Sequence, residues 1–219
     1  MIKESNLVKN IKPFVTAKKI SKSYGNNNSV EVLNNISIDL FGGEFLSISG
    51  PSGCGKTTLL MILGCLMNPD NGEVKIDNFN PYKKKSSDRA KIRSEFIGFI
   101  FQDFKLIPYL NVMENIRCSA LPLGQISVND KLEKLLSILK LDHRRLHVPS
   151  QLSAGEKQRT AIARAMITSP RFILADEPTG NLDEENTEIV LKSLRDYSNN
   201  NGSALMVSHD PNIECFTDR

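Results

Sequence analysis

The sequence predicts an α/β protein built around a parallel sheet, and three observations carry that prediction. A β-rich run at residues 45–49 leads straight into the glycine-rich stretch GPSGCGKTT, the strand–loop–helix juncture that cradles phosphate. Two apolar runs, FILAD and ALMVSHD, are separated by a helix-like segment that starts near Asp183, so strands alternate with helices. Between these regions, DKLEKLLSILKL repeats leucine at helical spacing through Leu132, Leu135, Leu136, Leu139 and Leu141.

In chain order, strand-like runs fall at residues 14–20, 32–40, 45–49, 74–76 and 96–101, parted by Gly, Asn and Pro clusters. The basic segment YKKKSSDRAKIR reads as a solvated face rather than a nucleic-acid patch. A helical lobe begins near Asn129, a further helix follows Ser153, and RFILADEP reads as a buried strand. The asparagine-rich patches at 26–28 and 199–201 read as loops, and no internal repeat appears.

A chain of 219 residues suffices for one well-packed domain and is too short for two independent enzymes. With 28 basic and 25 acidic side chains the net charge is only +3, so no nucleic-acid partner is expected. The longest apolar run, LLMILGCLM, falls well short of the roughly 20 residues that cross a bilayer. The opening residues MIKESNLVKNIKPF scatter polar groups where a signal peptide needs an apolar core, and the four cysteines show no CxxC pairing. A cytoplasmic protein with reduced thiols is therefore expected.

The chemistry starts at the glycine-rich loop, which matches G-x-x-x-x-G-K-[ST] through Gly50, Gly55, Lys56 and Thr57 and also carries Pro51, Ser52, Gly53, Cys54 and Thr58. Its glycines let backbone wrap around phosphate, Lys56 reaches the β- and γ-phosphates, and the Thr57 hydroxyl is offered to Mg²⁺. Downstream, four apolar residues precede Asp176 and Glu177, placing two carboxylates at the C-terminal edge of the sheet, where α/β folds bind ligands. Asp176 suits the Mg²⁺ shell and Glu177 the polarisation of an attacking water. Alone, such an acidic pair is often only a helix N-terminal charge; the phosphate loop gives it chemical meaning.

The stretch LSAGEKQR resembles the signature motif of ATP-binding cassette (ABC) ATPases, usually written LSGGQ. Other elements of that family follow in order: Tyr24 in KSYG resembles the aromatic that stacks on adenine, and Gln102 in FIFQDF the Q-loop glutamine. Asp183 in NLD resembles the D-loop aspartate, and His209 in VSHD the switch histidine. The resemblance implies one ABC ATPase domain over residues 1–219, with a mixed sheet core, an antiparallel β subdomain and a helical subdomain at about 103–168. It also implies two ATP held with Mg²⁺ between two copies of the chain. Gln102 would sense Mg²⁺ and water, His209 would bond the γ-phosphate, and Ser153 and Gly155 would donate to phosphate bound by the partner copy.

The stretches DRAKIRSEFIGFIFQDFKLIPYLNVMENI and ADEPTGNLD are similar to the branch of lipoprotein-releasing, macrolide-exporting and cell-division ATPases. That implies an integral membrane permease as partner, with the chain peripheral on the inner face of the cytoplasmic membrane. A nucleotide-dependent regulatory switch docked on a permease-like protein uses the same residues. A soluble ABC protein acting on DNA or the ribosome is disfavoured by the lack of a coiled-coil insertion or second cassette, and a GTPase by the lack of NKxD. Phe104, Leu106, Ile107, Tyr109 and Leu110 are the expected permease contact.

The chain departs from the family pattern at Ala154 and Glu156, where activity is expected to survive. The pattern also runs past the switch histidine into a strand pair, whereas this sequence stops at Arg219, so the C-terminal edge is expected to be trimmed or the chain to be a piece of a longer one. His143 and His147, with no third ligand nearby, read as surface histidines, and Cys65 reads as core. Cys54, inside the phosphate loop, is the thiol expected to make hydrolysis sensitive to alkylation.

Overall fold

The seven strands among the described residues sort into two sheets by how their neighbours connect. A computed structural model describes residues 12–25, 30–124, 128–180, 182–200, 202–209 and 211–219. The expected loops at 26–28 and at Asn201, most of the N-terminal stretch, Asn181 of NLD and Asp210 of VSHD lie outside the described residues. β1 (Val15–Tyr24), β2 (Val30–Leu40) and β4 (Asn71–Ile76) form an antiparallel sheet in the order β2-β1-β4. β3 (Phe45–Ser49), β5 (Ile97–Ile100), β6 (Phe172–Asp176) and β7 (Ala204–Ser208) form a parallel sheet in the order β3-β7-β6-β5. Antiparallel pairing is thus confined to the first sheet, and every described pair of the core sheet is parallel.

Parallel neighbours require crossovers, and helices supply them. α1 (Lys56–Leu63) follows β3, α2 (Ser86–Phe96) precedes β5, and α6 (Glu184–Asn199) joins β6 to β7. α3 (Val112–Arg117), α4 (Asn129–Ile138) and α5 (Ala154–Met166) lie between β5 and β6. β6 and β7 are buried at every position, which is why FILAD and ALMVS read as unbroken apolar runs.

Alternation along the core strands divides the interior in two. Phe172, Leu174, Leu205 and Val207 face α1 and the antiparallel sheet, packing with Leu60, Ile62, Ile20 and Ile76. Ile173, Ala175 and Met206 point the other way, into a core with Ile116, Leu132, Leu136 and Ile162 from α3, α4 and α5. α4 stops at Ile138, earlier than its leucine spacing implies. Leu139 and Leu141 stay fully buried beyond its end, around Lys140 at φ 52°. α2 has no fully buried residue, but it is not solvated all round: Ile92 and Phe96 pack partly buried against the core and Arg93 donates to Cys65 O at 3.1 Å. Among the described residues no helix is long and apolar enough to cross a membrane.

Candidate nucleotide-binding site

The phosphate loop takes its shape from two glycines in the left-handed region, Gly53 at φ 81° and Gly55 at φ 97°. A Cβ on Gly55 would also fall 2.9 Å from the side chains of Val32 and Leu33, so no other residue fits there. Gly55 caps α1 without a side-chain bond, leaving the helix N-terminus open to an anion. The buried Lys56 folds back over the loop, its Nζ donating to the carbonyls of Gly50 at 2.7 Å and Pro51 at 2.9 Å.

β6 delivers Asp176 beside this loop, where Thr57 Oγ1 donates to Asp176 Oδ1 at 3.0 Å. Burial raises the Asp176 carboxyl above its ordinary range, the Thr57 bond opposes that, and the Glu177 carboxylate adds to it. A hydroxyl and a carboxylate under anionic strain form an oxygen donor pair suited to a hard divalent cation. Glu177 sits at φ 45°, unusual for a non-glycine residue, and is pinned by its N–H donating to Val207 O at 3.0 Å. Its Oε2 lies 3.2 Å from Nδ1 of the exposed His209, so strand ends β6 and β7 bring base candidate and histidine into contact.

Tyr24, Gln102 and Glu177 join Ser52, Gly53, Gly55, Lys56, Thr57 and Thr58 around one cleft of about 350 Å³. The Tyr24 hydroxyl reaches Met67 Sδ at 3.0 Å and Thr58 Oγ1 at 3.3 Å, which fixes the half-exposed ring beside the first turn of α1. Val32, read from sequence only as a strand residue, lines the same cleft.

Ser153, Gly155 and Asp183 do not line this cleft; they gather at the N-termini of α5 and α6. Ser153 caps α5, its Oγ accepting from Glu156 N at 3.2 Å while Glu156 Oε2 accepts from Ser153 N at 2.8 Å. Glu156 Oε1 accepts from Arg144 Nε at 2.8 Å. Burial pushes the Glu156 carboxyl up, but these bonds outweigh it and hold the group below its ordinary value. Asp183 caps α6 by accepting from Asn186 N at 2.8 Å.

Gln102 opens a segment whose next turn is left-handed at two non-glycine residues, Phe104 at φ 59° and Lys105 at φ 48°. Arg164 of α5 holds that turn, donating to Phe104 O at 2.6 Å and Lys105 O at 2.5 Å. Asn115 of α3, fully buried, bonds Ile107 through both N–H and C=O and also Leu110 O. Leu106, Ile107 and Leu110 are partly buried, and Tyr109 is 79% exposed. Sequence reading passed over Arg164, Asn115 and Asn186; a polar residue within a buried helical face was the only signal available for the first two.

His143 Nε2 lies 3.6 Å from Glu156 and His147 Nε2 lies 3.3 Å from Arg144, so both sit among side chains. Among the described residues no group of three or more His, Cys, Asp or Glu converges to hold a metal. Cys65 is buried just past the end of α1, its thiol pushed up to about 12 by burial. Cys54 is exposed in the phosphate loop.

A phosphate loop beside a carboxylate pair at the end of a buried strand defines a nucleoside triphosphatase of the phosphate-loop class. Residues 33–180 match the family described as "ABC transporter". The chain is 39% identical over 211 residues to the uncharacterized ABC transporter ATP-binding protein YvrO of Bacillus subtilis, covering 94% of this chain and 91% of that one. It is 40% identical over 204 residues to the lipoprotein-releasing system ATP-binding protein LolD of Shewanella oneidensis, covering 91% and 89%. Its structure matches the ATP-binding cassette MJ0796, a Methanocaldococcus jannaschii protein, in a dimeric post-hydrolysis state bound to ADP and Pi. That match has a TM-score of 0.87 and 37% identity, over 93% of this chain and 91% of the other. The chain belongs to the ABC transporter ATP-binding family, and is an ATP-binding, ATP-hydrolysing subunit of the branch that includes LolD.

Proposed function

We propose that the chain binds ATP in the cleft between Tyr24 and Glu177 and hydrolyses it when a second copy supplies its Ser153 and Gly155. The cycle drives an integral membrane permease from the cytoplasmic face. The observation that carries the reading is the meeting of Thr57, Asp176, Glu177 and His209 at the C-terminal ends of β6 and β7, beside the phosphate loop. Tyr24 stacks on adenine and the loop amides with Lys56 take the phosphates. Thr57, Asp176 and Gln102 would hold Mg²⁺, which neutralises phosphate charge when bound.

Glu177 then takes a proton from the attacking water while His209 moves from Glu177 to the γ-phosphate. Asp183 lies on the face offered to the second copy. The need for two copies follows from the distribution of residues: the signature residues stand apart from the cleft of their own chain, and a two-fold pair places each against the other's phosphate loop. The named activity of LolD, lipoprotein release, and the dimer of MJ0796 support export or extraction as the work done.

The test is Glu177→Gln with ATP. Hydrolysis should fall by about 100-fold or more while binding persists, and light scattering should report a trapped dimer. A monomeric, fully active variant overturns the reading.

A further inference from the structure

The first turn of α6 carries a side chain that the site described so far leaves unexplained. Asn186 lies between the signature turn and the Asp183 cap. Its Nδ2 donates to both carboxylate oxygens of Asp183, at 2.7 and 2.9 Å, and its Oδ1 accepts from the Arg159 guanidinium of α5. Gly155 packs directly on it. A Cβ at that position would fall 2.9 Å from Asn186 Nδ2 and nearer still to Oδ1 and Cγ. Arg159 is buried, and its Nε has no hydrogen-bond partner among the described residues, so Asn186 is a principal polar anchor for that guanidinium.

We infer that Asn186 is a positioning residue that locks the signature turn of α5 to the Asp183 end of α6 within one chain, so that both are presented to the partner copy as one rigid edge. The chemistry singles out an amide. Only a group with donor and acceptor on one planar head can satisfy a carboxylate on one side and a guanidinium on the other. Gly155 then has a second reason to be glycine: the space that a Cβ needs is filled from within its own chain, before any partner arrives. A shift at Asp183 is carried through Asn186 to Arg159 and Gly155 over contiguous contacts, with no loop between them.

The inference rests on the two-copy reading above, and the test separates the two. In a Glu177→Gln background, ATP-driven dimerisation is followed by light scattering, and binding of a fluorescent ATP analogue to the monomer is measured alongside. Asn186→Ala should need about tenfold more ATP to dimerise, a coupling typical of residues in contact, with monomer affinity unchanged. Asn186→Asp suits a helix N-terminus and so keeps the fold; by setting a carboxylate against Asp183 it should show the same loss.

The decisive arm is Gly155→Ala. It should impair dimerisation strongly when Asn186 is present and add little in the Asn186→Ala background, where the Cβ has room. Equal damage in both backgrounds, or an Asn186→Ala protein that dimerises like its parent, overturns the lock while leaving the two-copy reading intact. Failure of the Glu177→Gln parent itself to dimerise with ATP overturns both.

Discussion

Glu156 stands where the family motif carries glutamine, and both of its carboxylate oxygens are occupied, one by Ser153 N–H and one by Arg144. Glutamine can keep the first bond through its side-chain carbonyl, but its amide nitrogen only donates, so the second bond, from Arg144, is lost. Arg144 is itself about a third exposed and can turn to water when that bond goes, so Glu156→Gln should still retain ATP hydrolysis within about threefold. The carboxyl is held below its ordinary value in the folded protein, so the stability it contributes is present at neutral pH and above its unfolded value. That stability is lost as the pH falls through the lower folded value. Urea midpoints measured from pH 7 downward should show a shallower acid loss in Glu156→Gln than in the parent.

Cys54 gives a second test at this scale. It is exposed within the phosphate loop, whereas Cys65 is buried with its thiol raised to about 12. A thiol alkylating reagent should inhibit hydrolysis, ATP should protect, and Cys54→Ser should remain active after treatment; inhibition unchanged in Cys54→Ser refutes this. Residues whose partners lie a few positions away were legible in the sequence, as Ser153 and the phosphate loop were. Arg164 was not, because the carbonyls it holds are 59 and 60 residues distant and carry no side-chain signature.

Among the elements, the segment from Gln102 to Asn111 is irregular in backbone yet tightly held. Arg164 anchors its strained turn and Asn115 its middle, so α5 and α3 both grip the stretch between Gln102 and the exposed Tyr109. Arg164→Ala leaves two carbonyls without their charged donor and should destabilise the fold by about 1–3 kcal/mol. Because Gln102 then loses its support, kcat should fall more than KM rises, and Arg164→Lys should recover part of the loss; unchanged kcat in Arg164→Ala would refute this. β6 and β7 were readable because burial on both faces makes them continuously apolar. α2 was not, since its inward face is only the partly buried pair Ile92 and Phe96, too few apolar residues to set a period, and α3, at six residues, is too short to show one.

Across the whole molecule, the parallel sheet serves two cores at once. One side carries the phosphate-loop helix and the antiparallel sheet, and the other carries the helices that bear the signature turn and the Gln102 clamp. Motion of the second group relative to the first would connect nucleotide state to whatever docks at the 104–110 segment. Leu106→Glu with Tyr109→Glu should leave ATP binding and basal hydrolysis near parental values while abolishing co-purification with the permease. Retained co-purification would move the contact elsewhere. The division between sheets was only partly visible in the sequence. Alternation marks strands, but which strands pair is decided by register over long separations, such as Val15 with Leu40 on one side and Ile76 on the other.

The position of Lys56 reaches further than the loop it sits in. With its ammonium seated on the carbonyls of Gly50 and Pro51, Lys56 ties the loop to itself, so bonds within the chain contribute to its curve. Arrival of a triphosphate is then an exchange of acceptors around a standing cation, with the entropy of arranging that cation already accounted for when the chain folded. Nucleotide entry should therefore be limited by diffusion and displacement of water rather than by assembly of the cradle.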